Sequence, residues 1–191
     1  MNLVDRVKNI LMTPKSEWPV IDTETGDAAY LFTNYVAILA AIPAICSFIG
    51  TSIFGISIGG LTLRVPILTG IVHAIVSYIL SFVIVYVVAM IVDALAPSFG
   101  GRKDMQSALK VTVYSYTPGW LVGVFLLIPA LGVLGLLALY GLYLMYLGLP
   151  VLMKAPPERS LMYTIVVVVC TIVLVIVLGF IQAAIFGLPR M

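Results

Sequence analysis

The chain has 191 residues, 62% of them apolar and only 9% charged, with a formal net charge of +2. Soluble domains carry about a quarter charged residues, so this composition excludes a soluble globular protein and marks an integral membrane protein. The small, dispersed charge points to no nucleic-acid partner, and one histidine with two scattered cysteines, Cys46 and Cys170, gives no metal-ligand spacing, so no cofactor is expected.

Residues 1–27 form a polar segment without the short apolar stretch and small-residue cleavage site of a removable signal peptide. Within it, "NLVDRVKNILM" places Leu3, Val4, Val7, Ile10 and Leu11 on one helical face, with Asp5, Arg6, Lys8 and Asn9 opposite. This predicts a short amphipathic helix ended by Thr13-Pro14. Two placements suit it: flat on the inner leaflet, with its basic residues toward anionic head groups and Trp18 at the interface, or packed on the end of a helical bundle.

Residues 28–191 form the membrane domain. Uncharged runs cover Ala28–Leu63, Val65–Val92, Val111–Met153 and Ser160–Pro189, and about 20 apolar residues at ~1.5 Å each cross a hydrocarbon core of ~30 Å. The third run is long enough for two crossings, with "IPALG" at 128–132 supplying the turn through Pro129 and Gly132. The predicted fold class is therefore all-α: a polytopic bundle of five transmembrane helices at about 30–54, 66–94, 105–128, 131–152 and 160–186. Between the first two, "GISIGGLTLR" has room for only a small hairpin or cap. Arg6, Lys8, Lys15, Arg102, Lys103, Lys110, Lys154 and Arg159 fall on the side of the N-terminus, and only Arg64 and Arg190 on the other. This asymmetry predicts a cytoplasmic N-terminus and an external C-terminus.

Thr69, His73, Ser77 and Ser81 recur every fourth residue in the second span and make one polar stripe, which suits a hydrogen-bonded packing seam or a substrate path. Asp93 and Lys110 fall at similar depth on the second and third spans; they can pair, or Lys110 snorkels while Asp93 is solvated. In "YSYTPGW", Pro118 lacks an N–H, so the carbonyl of Tyr114 loses its helical partner and the third span should kink beside Ser115 and Thr117. Tyr140 and Tyr143 lie near mid-membrane by count, and their hydroxyls need partners from the stripe or from Ser115 and Thr117. Gly55 with Gly59, and Gly119 with Gly123, have the spacing of helix contacts.

The stretches "ALKVTVYSYTPGWLVGVFLLIPALG" and "YGLYLMYLGLPVLMKAPPERSLMYT", with "ILMTPKSEW" and "AAIPAICSFIGTS" upstream, resemble the Yip domain family of Ypt/Rab-interacting proteins, in its bacterial inner-membrane (YohC-like) branch. Tyr114, Pro118, Pro129, Tyr140, Gly141, Tyr143, Gly148 and Pro150 carry the resemblance, Gly141 and Gly148 as further helix contacts. It implies five spans, the same orientation, no enzymatic activity, and a multi-pass location in a bacterial inner membrane. The longer cytoplasmic tail of the eukaryotic relatives is replaced here by a short segment, which puts their small-GTPase link in doubt.

No Ser/His/Asp set, aspartate pair or HExxH motif is present, so an enzyme is not expected. The expected function is a non-enzymatic protein that organises membrane or protein assemblies, with itself as a homo-oligomer or with other membrane proteins, in the lipid bilayer. The alternative is a small transporter or channel, with a polar path between spans two, three and four and with His73, Asp93 and Lys110 as its charges.

Overall fold

The computed structural model describes residues 2–25, 27–58 and 61–186. Gly59, one of the predicted contact glycines, lies outside the described residues, as does Arg190 of the charge count.

The polar N-terminal segment folds into two helices rather than one, α1 (Leu3–Met12) and α2 (Pro14–Thr23). The Asn2 side chain accepts the Asp5 N–H at 2.8 Å to cap α1, whose last turn closes through Thr13 N–H on the Asn9 carbonyl. Pro14 then opens α2 in the first helical turn, where its missing N–H costs nothing. The result is a tight helical hairpin. Its first helix is packed on the bundle: Ile10 is fully buried, Leu3, Val7 and Leu11 pack beside it, and Val4 and Met12 stay exposed.

The apolar runs give α3 (Ala28–Phe54) and α4 (Ile67–Phe99), then a broken third segment, then α7 and α8. α3 carries wide π turns at Phe32–Val36 and Ile49–Phe54 and holds Pro43 within it. Gly55 ends α3 at φ +85°, and a Cβ there would meet the Leu63 carbonyl and the side chains of Thr62 and Arg64 at 2.8 Å. Gly55 therefore serves a turn and not a helix contact, a correction to its sequence reading. The turn leads into a two-stranded antiparallel hairpin, β1 (Ile56–Ile58) and β2 (Leu61–Leu63), with Ile56 opposite Leu63. The chain is otherwise helical among the described residues.

The third segment breaks where the Pro-Gly pair predicts it. α5 (Met105–Ser115) stops, Tyr116 forms a turn, and α6 (Thr117–Val122) restarts with Pro118 in its first turn. A 3₁₀ stretch, Gly123–Leu127, runs to Ile128, whose extended backbone (φ −121°, ψ 101°) makes the reversal just before Pro129, while Gly132, the other predicted breaker, lies inside the 3₁₀ stretch that follows. A second 3₁₀ stretch, Pro129–Leu139, leads into α7 (Tyr140–Leu152), and α8 (Pro157–Phe186) completes the chain. Four stretches are long and apolar enough to cross a membrane as single helices: Ala28–Phe54, Ile67–Phe99, Ala130–Leu152 and Pro157–Ala183. The break at Tyr116 keeps the third segment from forming a fifth such helix.

Packing is concentrated at one end. Ile10, Trp18, Ile21, Val88, Val92, Leu144, Leu149 and Tyr163 are fully buried, and all lie at the end that carries the N-terminal hairpin. There the Tyr163 hydroxyl donates to the Val92 carbonyl, and its ring stacks on Phe99 at 4.9 Å. Toward the other end Ile67, Leu68, Ile71, Ile75, Val173 and Phe180 are exposed, as lipid-facing residues must be.

Candidate functional site

The densest group of polar side chains is a charged chamber roofed by the α1–α2 hairpin and floored by α3 and α5. Arg6 sits one helical turn before Ile10 on the inner face of α1, and Glu17, Trp18 and Ile21 make the inner face of α2. Folding the hairpin at Thr13 brings Arg6 Nη1 to 2.5 Å from Glu17 Oε1, while Nη2 donates to Glu24 Oε1. Arg6 is 5% exposed and Glu17 4%, and the Arg6 guanidinium lies 5.4 Å over the Tyr114 ring. A fork donor between two carboxylates and an aromatic face satisfies a buried guanidinium on every side.

Lys110 completes the chamber. It is buried, and its Nζ donates to the Ile21 carbonyl at 3.1 Å and to the Glu24 carbonyl, at the C-terminal end of α2. It does not pair with Asp93 and does not snorkel to solvent, which corrects both sequence readings. Asp93 lies on α4, where one buried carboxylate oxygen has no hydrogen-bond partner among the described residues. The Tyr114 ring meets Tyr35 edge-on at 4.9 Å and Trp18 at 6.3 Å. Below them the Tyr35 hydroxyl and Thr117 Oγ1 share a 2.8 Å hydrogen bond. The chamber encloses about 630 Å³.

The polar stripe is elsewhere. Thr69, His73, Ser77 and Ser81 face α3 across a groove of about 400 Å³, with Pro43 and Ser47 on the far wall. Ser77 Oγ lies 3.4 Å from His73 Nδ1, and Ser81 turns back to the Tyr78 carbonyl. Of the third segment only Leu126 reaches this groove. Between groove and chamber, Val36 and Leu39 of α3 are buried, and the Tyr78 hydroxyl donates to the Ala37 carbonyl.

The remaining predicted residues act as contacts within the chain. The Tyr140 hydroxyl donates to the Leu11 carbonyl at 2.9 Å, so its partner is the hairpin and not the stripe, Ser115 or Thr117. Tyr143 lies beside it, ring centroids 5.5 Å apart. Ser115 Oγ is buried without a partner among the described residues. A Cβ on Gly141 would strike the Ser115 carbonyl; one on Gly148 would lie 2.7 Å from Val111 and 2.9 Å from the Trp18 ring; one on Gly123 would lie 2.6 Å from Pro43. Gly141 and Gly123 let backbones approach, and Gly148 leaves room for the Val111 and Trp18 side chains. Gly119 is open, its nearest neighbour Ala138 at 3.9 Å.

Arg6, Glu17 and Glu24 are the functional residues that sequence reasoning missed. The only signal was opposite charge on either side of the Thr13-Pro14 break, and it becomes informative once α2 is known to be a helix. The described residues hold no group of three metal-ligating side chains, and both cysteines are free thiols.

Residues 8–179 match the Yip1 domain. Inner membrane protein YohC of Escherichia coli strain K12 is 28% identical over 127 residues, 66% of this chain and 65% of that protein, and its namesake in Escherichia coli O6:H1 matches equally. The match thus spans slightly less than two thirds of these relatives' length. No solved structure matches. With well over half of its residues inside the domain match, the chain belongs to the Yip1 domain family.

Proposed function

We propose that the chain is a non-enzymatic, multi-pass protein of a bacterial inner membrane that organises membrane or protein assemblies through helix contacts. It crosses the bilayer five times, the broken α5–α6 segment serving as the third crossing, with the N-terminus cytoplasmic and the C-terminus external. The basic residues support this orientation, since eight lie on the hairpin side against Arg64 and Arg190 on the other. The location is supported by the inner-membrane relatives.

One observation carries the reading: the buried cations are engaged in structural contacts, Arg6 tying α1 to α2 over the Tyr114 ring and Lys110 tying α2 to the bundle. Arg6 is bound by Glu17 and Glu24, and Lys110 by two carbonyls. An arrangement of that kind fixes a surface and does not turn over a substrate. The test is photo-crosslinking in native membranes from lipid-facing positions such as Ile75 and Val173. Adducts with a second copy or with other membrane proteins are expected; monomer alone at every position would sink the proposal.

A second reading has its own observation. The chamber and the groove lie toward opposite ends and are separated by a buried layer at Val36 and Leu39, as in a transporter closed at its middle. Solute flux into proteoliposomes that is lost on His73→Ala would favour transport over organisation.

A further inference from the structure

Three lengths measured along different elements agree. α4 has 33 residues, about 50 Å, which exceeds a hydrocarbon core of ~30 Å by about 20 Å. α8, with 30 residues, exceeds it by about 15 Å. The excess lies at the hairpin end, because Val85, Val88, Ala89 and Val92 of α4 and Tyr163, Thr164 and Val167 of α8 are buried there by protein, whereas the opposite halves are exposed. The hairpin helices, ten residues each, stand about 15 Å tall.

The hairpin also stands upright along this extension. α2 runs beside α7 in the same direction, with Trp18 against Gly148 and Asp22 on Lys154 at 2.7 Å. Its turn therefore reaches Tyr140 and Tyr143, 11 or more residues before Lys154, or about 16 Å down α7. The height of the hairpin, about 15 Å, is close to the roughly 15–20 Å by which α8 and α4 overshoot the hydrocarbon core, which puts its turn near the membrane boundary.

At that turn Thr13, Lys15, Ser16, Tyr140 and Tyr143 line a cavity of about 430 Å³. Lys15 is exposed, with no ion pair among the described residues. Tyr143 is half-exposed, as suits an interfacial aromatic, and Met12, 74% exposed, is the apolar residue at the tip. We propose that this turn is a lipid-contacting surface that takes the anionic head group of a phospholipid in the leaflet on the hairpin's side, with the phosphate against Lys15 and the upper acyl chain against Tyr143 and Met12. Lys15 supplies the charge, since the Thr13 and Ser16 hydroxyls already donate to the Asn9 and Thr13 carbonyls, and an anionic lipid is the partner because Lys15 makes no ion pair among the described residues. The proposal rests on membrane insertion alone and holds under either functional reading.

The test uses the full chain in nanodiscs, with a nitroxide on Ser16→Cys in a Cys46→Ala/Cys170→Ala background and its depth read from oxygen and nickel-chelate collisions. Thr13→Cys repeats the reading from the other side of the turn. The label is expected at phosphate depth, and its motion should slow when phosphatidylglycerol replaces part of the phosphatidylcholine. Lys15→Gln should raise the phosphatidylglycerol fraction needed about five-fold. A label more than a Debye length (~8 Å) out in the water overturns the proposal. So does a phosphatidylglycerol response unchanged by Lys15→Gln. Slowing by inorganic phosphate in pure phosphatidylcholine discs also overturns it, in favour of a free-anion site.

Discussion

Replacing Arg6 by Met should loosen the N-terminal hairpin without unfolding the bundle. The Arg6 and Glu17 side chains are each 6% exposed, so the variant leaves a carboxylate buried without its partner, a loss of about 3–5 kcal/mol for pairs of this kind. Glu24, 38% exposed, regains water and adds less than ~1 kcal/mol. Against this stand Ile10, Trp18 and Ile21, each fully buried and each worth about 1.5–3 kcal/mol, which keep the hairpin mostly docked. At about 1.4 kcal/mol per factor of ten, the undocked population should rise by two to three and a half decades. Hydrogen exchange in nanodiscs would show this as faster exchange across 3–23, with α8 near Tyr163 unchanged as the internal reference. Arg6→Met with Glu17→Leu removes both charges and should restore most of the protection, since an apolar pair can replace a buried ion pair at little loss. Exchange within about three-fold of the parent in Arg6→Met, or a double variant as fast as the single, would show that the ion pair does not hold the hairpin.

Gly148→Ala puts a methyl 2.7 Å from Val111 and 2.9 Å from the Trp18 ring, and should lower stability by about 1–3 kcal/mol; an unchanged melting temperature in detergent would refute that contact. Tyr140→Phe removes the bond to the Leu11 carbonyl, for about 1 kcal/mol, and should speed exchange at residues 10–13 by less than ten-fold. Asp104 caps α5: burial pushes its carboxyl up, but hydrogen bonds from the Ser107 hydroxyl and the Ser107 and Gln106 N–H groups, with Arg102 nearby, outweigh it and hold the carboxyl below its ordinary range. Its contribution is therefore present above its unfolded value of about 3.9 and lost as pH falls through the lower folded value, so Asp104→Ala should flatten acid destabilisation in that window and leave neutral-pH behaviour otherwise parallel.

The membrane class, the break at Tyr116 and the reversal at Ile128 were legible because each follows from local chemistry, apolar length and prolines without a donor, and the short hairpin followed from the few residues left between two long apolar runs, whereas the positive φ of Gly55 was not foreseen. α2 was not legible. "PKSEWPVIDT" has Pro19 inside it and a weak apolar pattern, and its helix is held by partners far along the chain, Gly148, Lys110 and Lys154. The stripe from Thr69 to Ser81 was visible as a stripe, but a helical period does not say which neighbour it faces, and the structure turns it to α3. The partner of Tyr140 was not legible either: its hydroxyl donates to the Leu11 carbonyl of the hairpin, 129 residues away in sequence, and no local pattern announces a contact of that range.

The two buried cations do different work, and their side chains fit it. Arg6 meets two carboxylates, and a planar guanidinium presents paired donors that match carboxylate geometry while its face lies on the Tyr114 ring. Lys110 meets only carbonyls, those of Glu24 and of Ile21, which also accepts the Glu24 N–H at 3.3 Å, at the end of α2 where the helix dipole is negative. A compact ammonium with three separate donors suits converging carbonyls better than a fork does. Lys110 is thus a C-terminal cap supplied from another helix, 86 residues away from Glu24 in sequence. Its charge is tolerated because two carbonyl oxygens at the negative end of the α2 dipole accept from the ammonium. The hairpin and the third segment therefore satisfy each other's buried groups, which is why a polar N-terminal segment can pack on an apolar bundle as a fixed part of it.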